Sequence, residues 1–108
     1  MTNPIRVLIA EDQSLVRGAL VALLDAEPDI SVVAECATGV EVAGFVAKHG
    51  VDVALLDIEM PGKSGLDAAA ELEDTGCRSL IVTTFGRSGY VKRALETGVA
   101  GFVVKDTP

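Results

Sequence analysis

The 108-residue sequence has no apolar run long enough to cross a bilayer. Its first apolar stretch is broken by Arg6, Glu11 and Asp12, and Asn3-Pro4 with those early acids does not fit a signal peptide. These absences predict a cytoplasmic protein with no membrane partner. Cysteine is scarce: Cys36 and Cys77 stand alone, without metal-ligand spacing or a nearby histidine. That excludes a disulfide framework and a thiolate metal site, and predicts two reduced, buried thiols. Basic residues are also few, 9 Lys and Arg against 16 Asp and Glu, for a formal net charge of −7. Phosphate backbones need clustered Lys and Arg, so this segment is not expected to bind nucleic acid by itself. A negative pocket within it would instead favour a divalent cation. There is no repeat, linker or low-complexity stretch.

What is present is enough apolar material, 49 % of residues, for one core and one domain spanning 1–108. Ile5 to Ala10 reads as a buried strand that ends in acids, Glu11 and Asp12. A helix follows from about Leu15 to Ala26, with Ser14 or Asp12 as its cap. Ile30–Cys36 is a second strand, and Thr38-Gly39 turns into a helix from about Val40 to His49, with Val42, Ala43, Phe45 and Val46 as its buried side. A helix at Leu66–Asp74 is capped by Ser64 and closed by Thr75-Gly76. Leu80–Thr84, a helix at Val91–Thr97 and a last strand at Gly101–Lys105 complete the alternation. Strand and helix in turn, with short connections, predict an α/β fold with a parallel sheet and right-handed crossovers. Five strands with four helices leave part of one sheet face bare, because the last strand has no helix after it.

The centre of the chain is Val51–Gly65, VDVALLDIEMPGKSG. Its apolar first half reads as a strand buried on both faces. The run stops at Asp57 and breaks into Met60-Pro61-Gly62, which cannot continue a strand. In an open α/β sheet, ligands bind just outside the carboxyl ends of the strands. At those ends lie Glu11 and Asp12, Asp57, Thr83 and Thr84, and Lys105. Three carboxylates in one pocket repel one another, and a hard divalent cation relieves that. Mg²⁺ takes oxygen ligands and keeps positions for phosphate oxygens. Lys105 and Thr83 suit the oxygens of a phosphoryl group, and Asp57 can then act as a nucleophile toward phosphorus.

On these residues the chain resembles a response-regulator receiver domain of two-component signalling, the CheY-like family. The pieces are Glu11-Asp12, the segment Asp57-Ile58-Glu59-Met60-Pro61-Gly62-Lys63-Ser64-Gly65, the Thr83-Thr84 strand end, and Phe102 three residues before Lys105. Val82–Phe85 and Val104-Lys105-Asp106 further resemble receivers that precede a LuxR-type helix-turn-helix, the NarL/FixJ type. The resemblance implies a doubly wound, flavodoxin-like sheet of order 2-1-3-4-5, here lacking the final helix. It implies that Asp57 accepts a phosphoryl group from a sensor histidine kinase. Mg²⁺ would be held by Asp12 and Asp57, by Glu11 partly through water, and by the Glu59 backbone carbonyl. Lys105 would contact the phosphoryl group, Thr83 would be the switch hydroxyl with Thr84 beside it, and Phe102 the coupled aromatic. A phosphorylation-dependent homodimer and DNA binding through an absent C-terminal domain are implied as outputs. Catalysis is limited to Mg-dependent self-phosphorylation and autodephosphorylation.

Two departures stand out. Asp106 follows Lys105 where many receivers have proline, and the missing helix removes part of the usual dimer surfaces. Rival readings fit less well. An aspartyl-nucleophile phosphatase wants a second Asp two residues after the first, where this chain has Glu59. A receiver-like interaction module would normally lose an acid, the Thr or the Lys. A flavin-binding relative wants a Ser/Thr/Gly-rich loop where this chain has Glu-Asp-Gln-Ser. His49 is expected to be exposed, and Lys63 and Arg87 to be solvated loop charges. The first helix is more apolar than one sheet contact requires, so part of it is expected to be a surface for the kinase's helical domain or a second receiver.

Overall fold

Five parallel strands form one sheet in the order β2-β1-β3-β4-β5. They are β1 (Ile5–Ala10), β2 (Ile30–Cys36), β3 (Val53–Asp57), β4 (Arg78–Thr83) and β5 (Gly101–Val104). Helices α1 (Ser14–Asp25), α2 (Val42–His49) and α3 (Gly65–Glu71) connect the first four strands. In this computed structural model the described residues are 3–83 and 101–104, with 83 and 101–104 described by backbone alone. The expected helix at Val91–Thr97, Arg87, and the site residues Thr84 and Lys105 lie outside the described residues.

The strand order and the parallel pairing agree with the doubly wound arrangement. Chain reversal after β2 sends β3 to the other side of β1, which creates the crevice at the carboxyl edge between β1 and β3. Registers run level across the sheet: Ala10 pairs with both Cys36 and Leu56, and Asp57 pairs with Val82. The strands therefore release their next residues at one edge.

The two faces of the sheet are not covered alike. On one, Leu8, Ala54, Leu56 and Ile81 pack against Val42 and Val46 of α2 and Leu66 and Ala69 of α3. Leu8, Leu56, Ile81, Val42 and Leu66 are fully buried, and a Leu→Ala change in such a cluster costs about 2–5 kcal/mol. On the other face α1 contributes Leu24 to an apolar groove with Ile5, Val7, Val53, Leu55 and Leu80. The expectation that β3 is buried on both faces is thus met on one face only. Ala54 and Leu56 are buried, whereas Val53 and Leu55 are half-buried.

Local chemistry explains several boundaries. Val51 is buried but precedes β3, because its N–H and that of Gly50 both turn back to the Val46 carbonyl and close α2. A 3-10 turn at Gly39–Glu41 leads into α2, which begins at Val42 rather than Val40. Ser64 caps α3 as expected, its hydroxyl accepting the Asp67 N–H at 3.2 Å, a bond worth about 1 kcal/mol. That helix ends at Glu71, short of Asp74, because the Leu72 N–H shifts to the Ala69 carbonyl and Thr75 then bonds back to Leu72.

Three expectations are corrected. Neither Ser14 nor Asp12 caps α1. Gln13 is its N-cap and has no side-chain capping bond; Glu11 accepts the Gln13 N–H, and Asp12 joins the acid cluster. His49 is half-buried, with its ring edge-on to Phe45 at 5.8 Å, and its carbonyl receives Arg6. Lys63 is a partly exposed loop charge that is paired rather than free, its Nζ meeting the Glu71 carboxylate at 2.6 Å.

Candidate functional site

The acids converge where the register places them. One carboxylate oxygen from each of Glu11, Asp12 and Asp57 lies within 4.8 Å of the other two. Glu11 and Asp12 directly follow β1, and Asp57 ends β3, the neighbouring strand. Their environments differ. Glu11 is buried to 1 % exposure, Asp57 is half-buried and Asp12 is exposed.

Each acid is set by its backbone. Glu11 donates its N–H to the Cys36 carbonyl at 3.0 Å, which ties the end of β1 to β2. Its carboxylate accepts the Gln13 N–H at 3.3 Å. Beyond Asp57 the chain folds back over the sheet edge. Gly65 donates to the Ile58 carbonyl at 2.9 Å, and Lys63 to Pro61 at 2.9 Å. Gly39 in the 3-10 turn sits against the Lys63 carbonyl so closely that a Cβ would collide with it. The turn after β2 thus braces the loop after β3. A cavity of about 480 Å³ opens beside the acids, with Asp12, Glu59 and Ser64 as its polar groups and Ile58, Met60 and Leu66 among its apolar ones.

The donor set fits a hard divalent cation. All three side chains offer carboxylate oxygens, and these lie within 4.8 Å of one another, near enough for a cation to draw them into one oxygen shell. The same three oxygens would repel one another without a counter-charge.

The remaining candidates are placed by backbone alone. Thr83 ends β4 and pairs with Val104, the residue before Lys105. Phe102 pairs with Ile81, two positions below Thr83. Glu59 lies two residues past Asp57, on the loop lining the cavity.

A model of the response regulator receiver domain family matches residues 7–108. The chain belongs to that family. Receiver relatives of known sequence and structure resemble it over nearly its whole length. It is 52% identical over 104 residues to the transcriptional regulatory protein DesR of Bacillus subtilis, covering 96% of this chain and 52% of that protein. A LuxR-family DNA-binding response regulator from Staphylococcus aureus superposes with a TM-score of 0.89 at 34% identity, covering 96% of this chain and 88% of that one. The signal receiver domain of a NarL response regulator from Mycobacterium tuberculosis superposes with a TM-score of 0.92 at 32% identity, covering 99% and 88%. This receiver chain spans about half the length of the curated relatives it matches. Among the described residues of the receiver, no helix is long and apolar enough to cross a membrane.

Sequence reasoning passed over two residues in this receiver. Arg17 on α1 donates through Nη1 to the Glu11 carbonyl at 2.8 Å. Its unusual place, a cation near the start of a helix that follows two acids, was the available signal. Gly39 was read as a turn residue, and its part in bracing the Lys63 loop depends on a tertiary approach that no local pattern encodes.

Proposed function

We propose that residues 1–108 form the phosphoacceptor domain of a two-component response regulator, with Asp57 as the acceptor. The observation that carries this reading is the convergence of Glu11, Asp12 and Asp57 at the carboxyl edge of the sheet, beside an open cavity. The Asp57 carboxylate attacks the phosphorus of a sensor histidine kinase's phosphohistidine. A P–O bond forms as the P–N bond breaks, the imidazole takes a proton, and an acyl phosphate remains.

Asp12 and Asp57 would hold Mg²⁺, with Glu11 contributing partly through water and the Glu59 carbonyl as a further ligand. When bound, the ion neutralises charge on the phosphoryl oxygens and orients them. The chain's residues do the rest. The β1 and β3 ends bring the acids together, and the Gly65–Ile58 bond holds the loop beside them. Thr83 pairs with Val104, which precedes Lys105 in the sequence, and this supports assigning Thr83 and Lys105 to the phosphoryl group, with Thr84 next in sequence. The new phosphoryl group carries roughly 1.5 to 2 negative charges. Thr83 moves toward them, Phe102 takes the space released, and the β4–β5 side of the domain shifts between two states.

The similarity to DesR and to LuxR-family regulators supports transcription control as the output, through a DNA-binding domain beyond this segment and a phosphorylation-dependent homodimer. The protein works in the cytoplasm, and its catalysis extends only to its own phosphorylation and dephosphorylation. The test is incubation with Mg²⁺ and acetyl phosphate. One acid-stable, base-labile adduct on Asp57, abolished in Asp57→Ala, is expected. No adduct at saturating donor overturns the reading.

A further inference from the structure

Arg17 reaches out of α1 to two places at once. Its Nη1 donates to the Glu11 carbonyl at 2.8 Å, and its Nε meets the Glu35 carboxylate of β2 at 3.3 Å. We infer that Arg17 is a positioning residue for the cation site: its guanidinium, held by Glu35, fixes the peptide that joins Glu11 to Asp12. This rests on the proposed reading of the acid cluster as a divalent-cation site.

The geometry supports this in three ways. First, the peptide unit is planar, so holding the Glu11 carbonyl also fixes where the Asp12 Cα lies. The N–H of Glu11 is already taken by the Cys36 carbonyl at 3.0 Å. Arg17 therefore fastens the other polar group of the same residue. Asp12 is exposed, and among the described residues no side chain hydrogen-bonds to it, so its direction depends on the backbone that carries it.

Second, apart from the Gln13 N–H that the Glu11 carboxylate accepts, the entry to α1 has no other side-chain fastening among the described residues. The N-cap Gln13 makes no side-chain capping bond, and the first turn carries no acid. Arg17 is the fourth residue of the helix, near the end where the helix dipole disfavours a cation. A residue set against its local preference is explained by the tertiary contacts it makes. Third, the guanidinium is planar and presents its donors as a fork, so one side chain can hold a carbonyl and a carboxylate in fixed relation. The arginine side chain is 22% exposed, which limits competition from water.

A positioning role and a purely electrostatic one predict opposite signs. Arg17 is a cation near a cation site, so by charge alone its removal tightens Mg²⁺ binding. As a clamp, its removal weakens binding. Groups that orient metal ligands from behind typically change affinity by about 10- to 100-fold when lost.

Titrate the 108-residue chain with MgCl₂ by calorimetry at constant ionic strength, as wild type, Arg17→Met, Arg17→Lys and Glu35→Gln. Arg17→Met is expected to bind Mg²⁺ about tenfold more weakly. Arg17→Lys, which keeps the charge and one donor, is expected to fall between wild type and Arg17→Met. Glu35→Gln weakens binding in the same direction. Folding is followed separately by circular dichroism and urea midpoint. A residue that only stabilises the fold moves the midpoint and leaves the Mg²⁺ affinity of the folded protein alone. Unchanged or tighter binding in a folded Arg17→Met protein overturns the inference. Should Arg17→Met fail to fold, unchanged affinity in both Arg17→Lys and Glu35→Gln overturns it. A wild type that binds no Mg²⁺ overturns the cation site itself, a distinct result.

Discussion

Gly65 lies directly against the backbone of Asp57. Its N–H bonds to the Ile58 carbonyl at 2.9 Å, and a Cβ placed on it would collide with the Asp57 carbonyl oxygen. The first residue of α3 and the last residue of β3 are thus in contact, although the loop between them is seven residues long.

Gly65→Ala forces those two backbones apart. The obstacle is main chain rather than a flexible side chain, so relief requires the strand end or the helix to move. A loss of about 1–3 kcal/mol is expected, as for an overpacked core. Urea unfolding measures it. Phosphoryl uptake from acetyl phosphate should fall as well, since Asp57 carries the displacement. A Gly65→Ala protein with wild-type stability and uptake contradicts the contact.

Asp12 contributes to a cluster whose three oxygens lie within 4.8 Å of one another. Without a cation that arrangement is repulsive, so Asp12→Ala should raise the melting temperature of the Mg²⁺-free protein. It should also remove most of the stabilisation that Mg²⁺ gives to wild type, because ligand binding to the folded state is stability. Thermal scans with EDTA and with 10 mM MgCl₂ would read both. A drop in melting temperature under EDTA would speak against crowded acids.

Leu15 and Leu23 on α1 are 85% and 69% exposed. They lie two helical turns apart on one side, with Ala19 between them, while Leu20, Val21 and Leu24 are half-buried. This agrees with the expectation that α1 is more apolar than its sheet contact requires. Leu15→Gln with Leu23→Gln should slow phosphotransfer from the cognate kinase about tenfold, as lost interface anchors do. Urea midpoint and uptake from acetyl phosphate, which needs no docking, should stay as in wild type. Equal kinase transfer in the double variant removes α1 from the docking surface.

Burial pushes the Cys36 thiol up to about 11, with the nearby Glu41 carboxylate adding to it. Cys77 is raised too, by burial and then by Asp52. In the unfolded chain these thiols ionise near 9, while the folded state keeps them protonated. The folded state then holds more protons, so stability is full below pH 9 and declines as pH rises toward about 11. The Cys36 share is of the order of 2 kcal/mol. Urea midpoints between pH 8 and pH 11, compared with Cys36→Ala, measure it as a difference that other titrating groups do not affect. Both thiols should also react slowly with a thiol reagent until urea is added.

Much of this architecture is written locally. A short apolar run ending in an acid appears twice, at Ala10–Glu11 and Leu56–Asp57, and both became adjacent strand ends. Ser64 capped its helix because its hydroxyl needs only the N–H three residues on. At α1 the cap position falls on Gln13, whose side chain makes no capping bond, while Glu11 and Asp12 before it gather with Asp57. In sequence His49 reads as exposed and Lys63 as a free loop charge; the partial burial of the one and the pairing of the other come from Phe45 and Glu71.

By itself, then, the sequence determined the alternation of strand and helix, the apolar composition of the core strands and the identity of the acids at their ends. Those follow from side-chain chemistry and period, which act within a few residues. Only the tertiary structure decided the distance between Glu11, Asp12 and Asp57, the bracing of the Lys63 loop by Gly39 and the clamp by Arg17. Each of these joins residues brought together by sheet register and by crossover connections. Their energies depend on approach and burial, which no local stretch of chain contains.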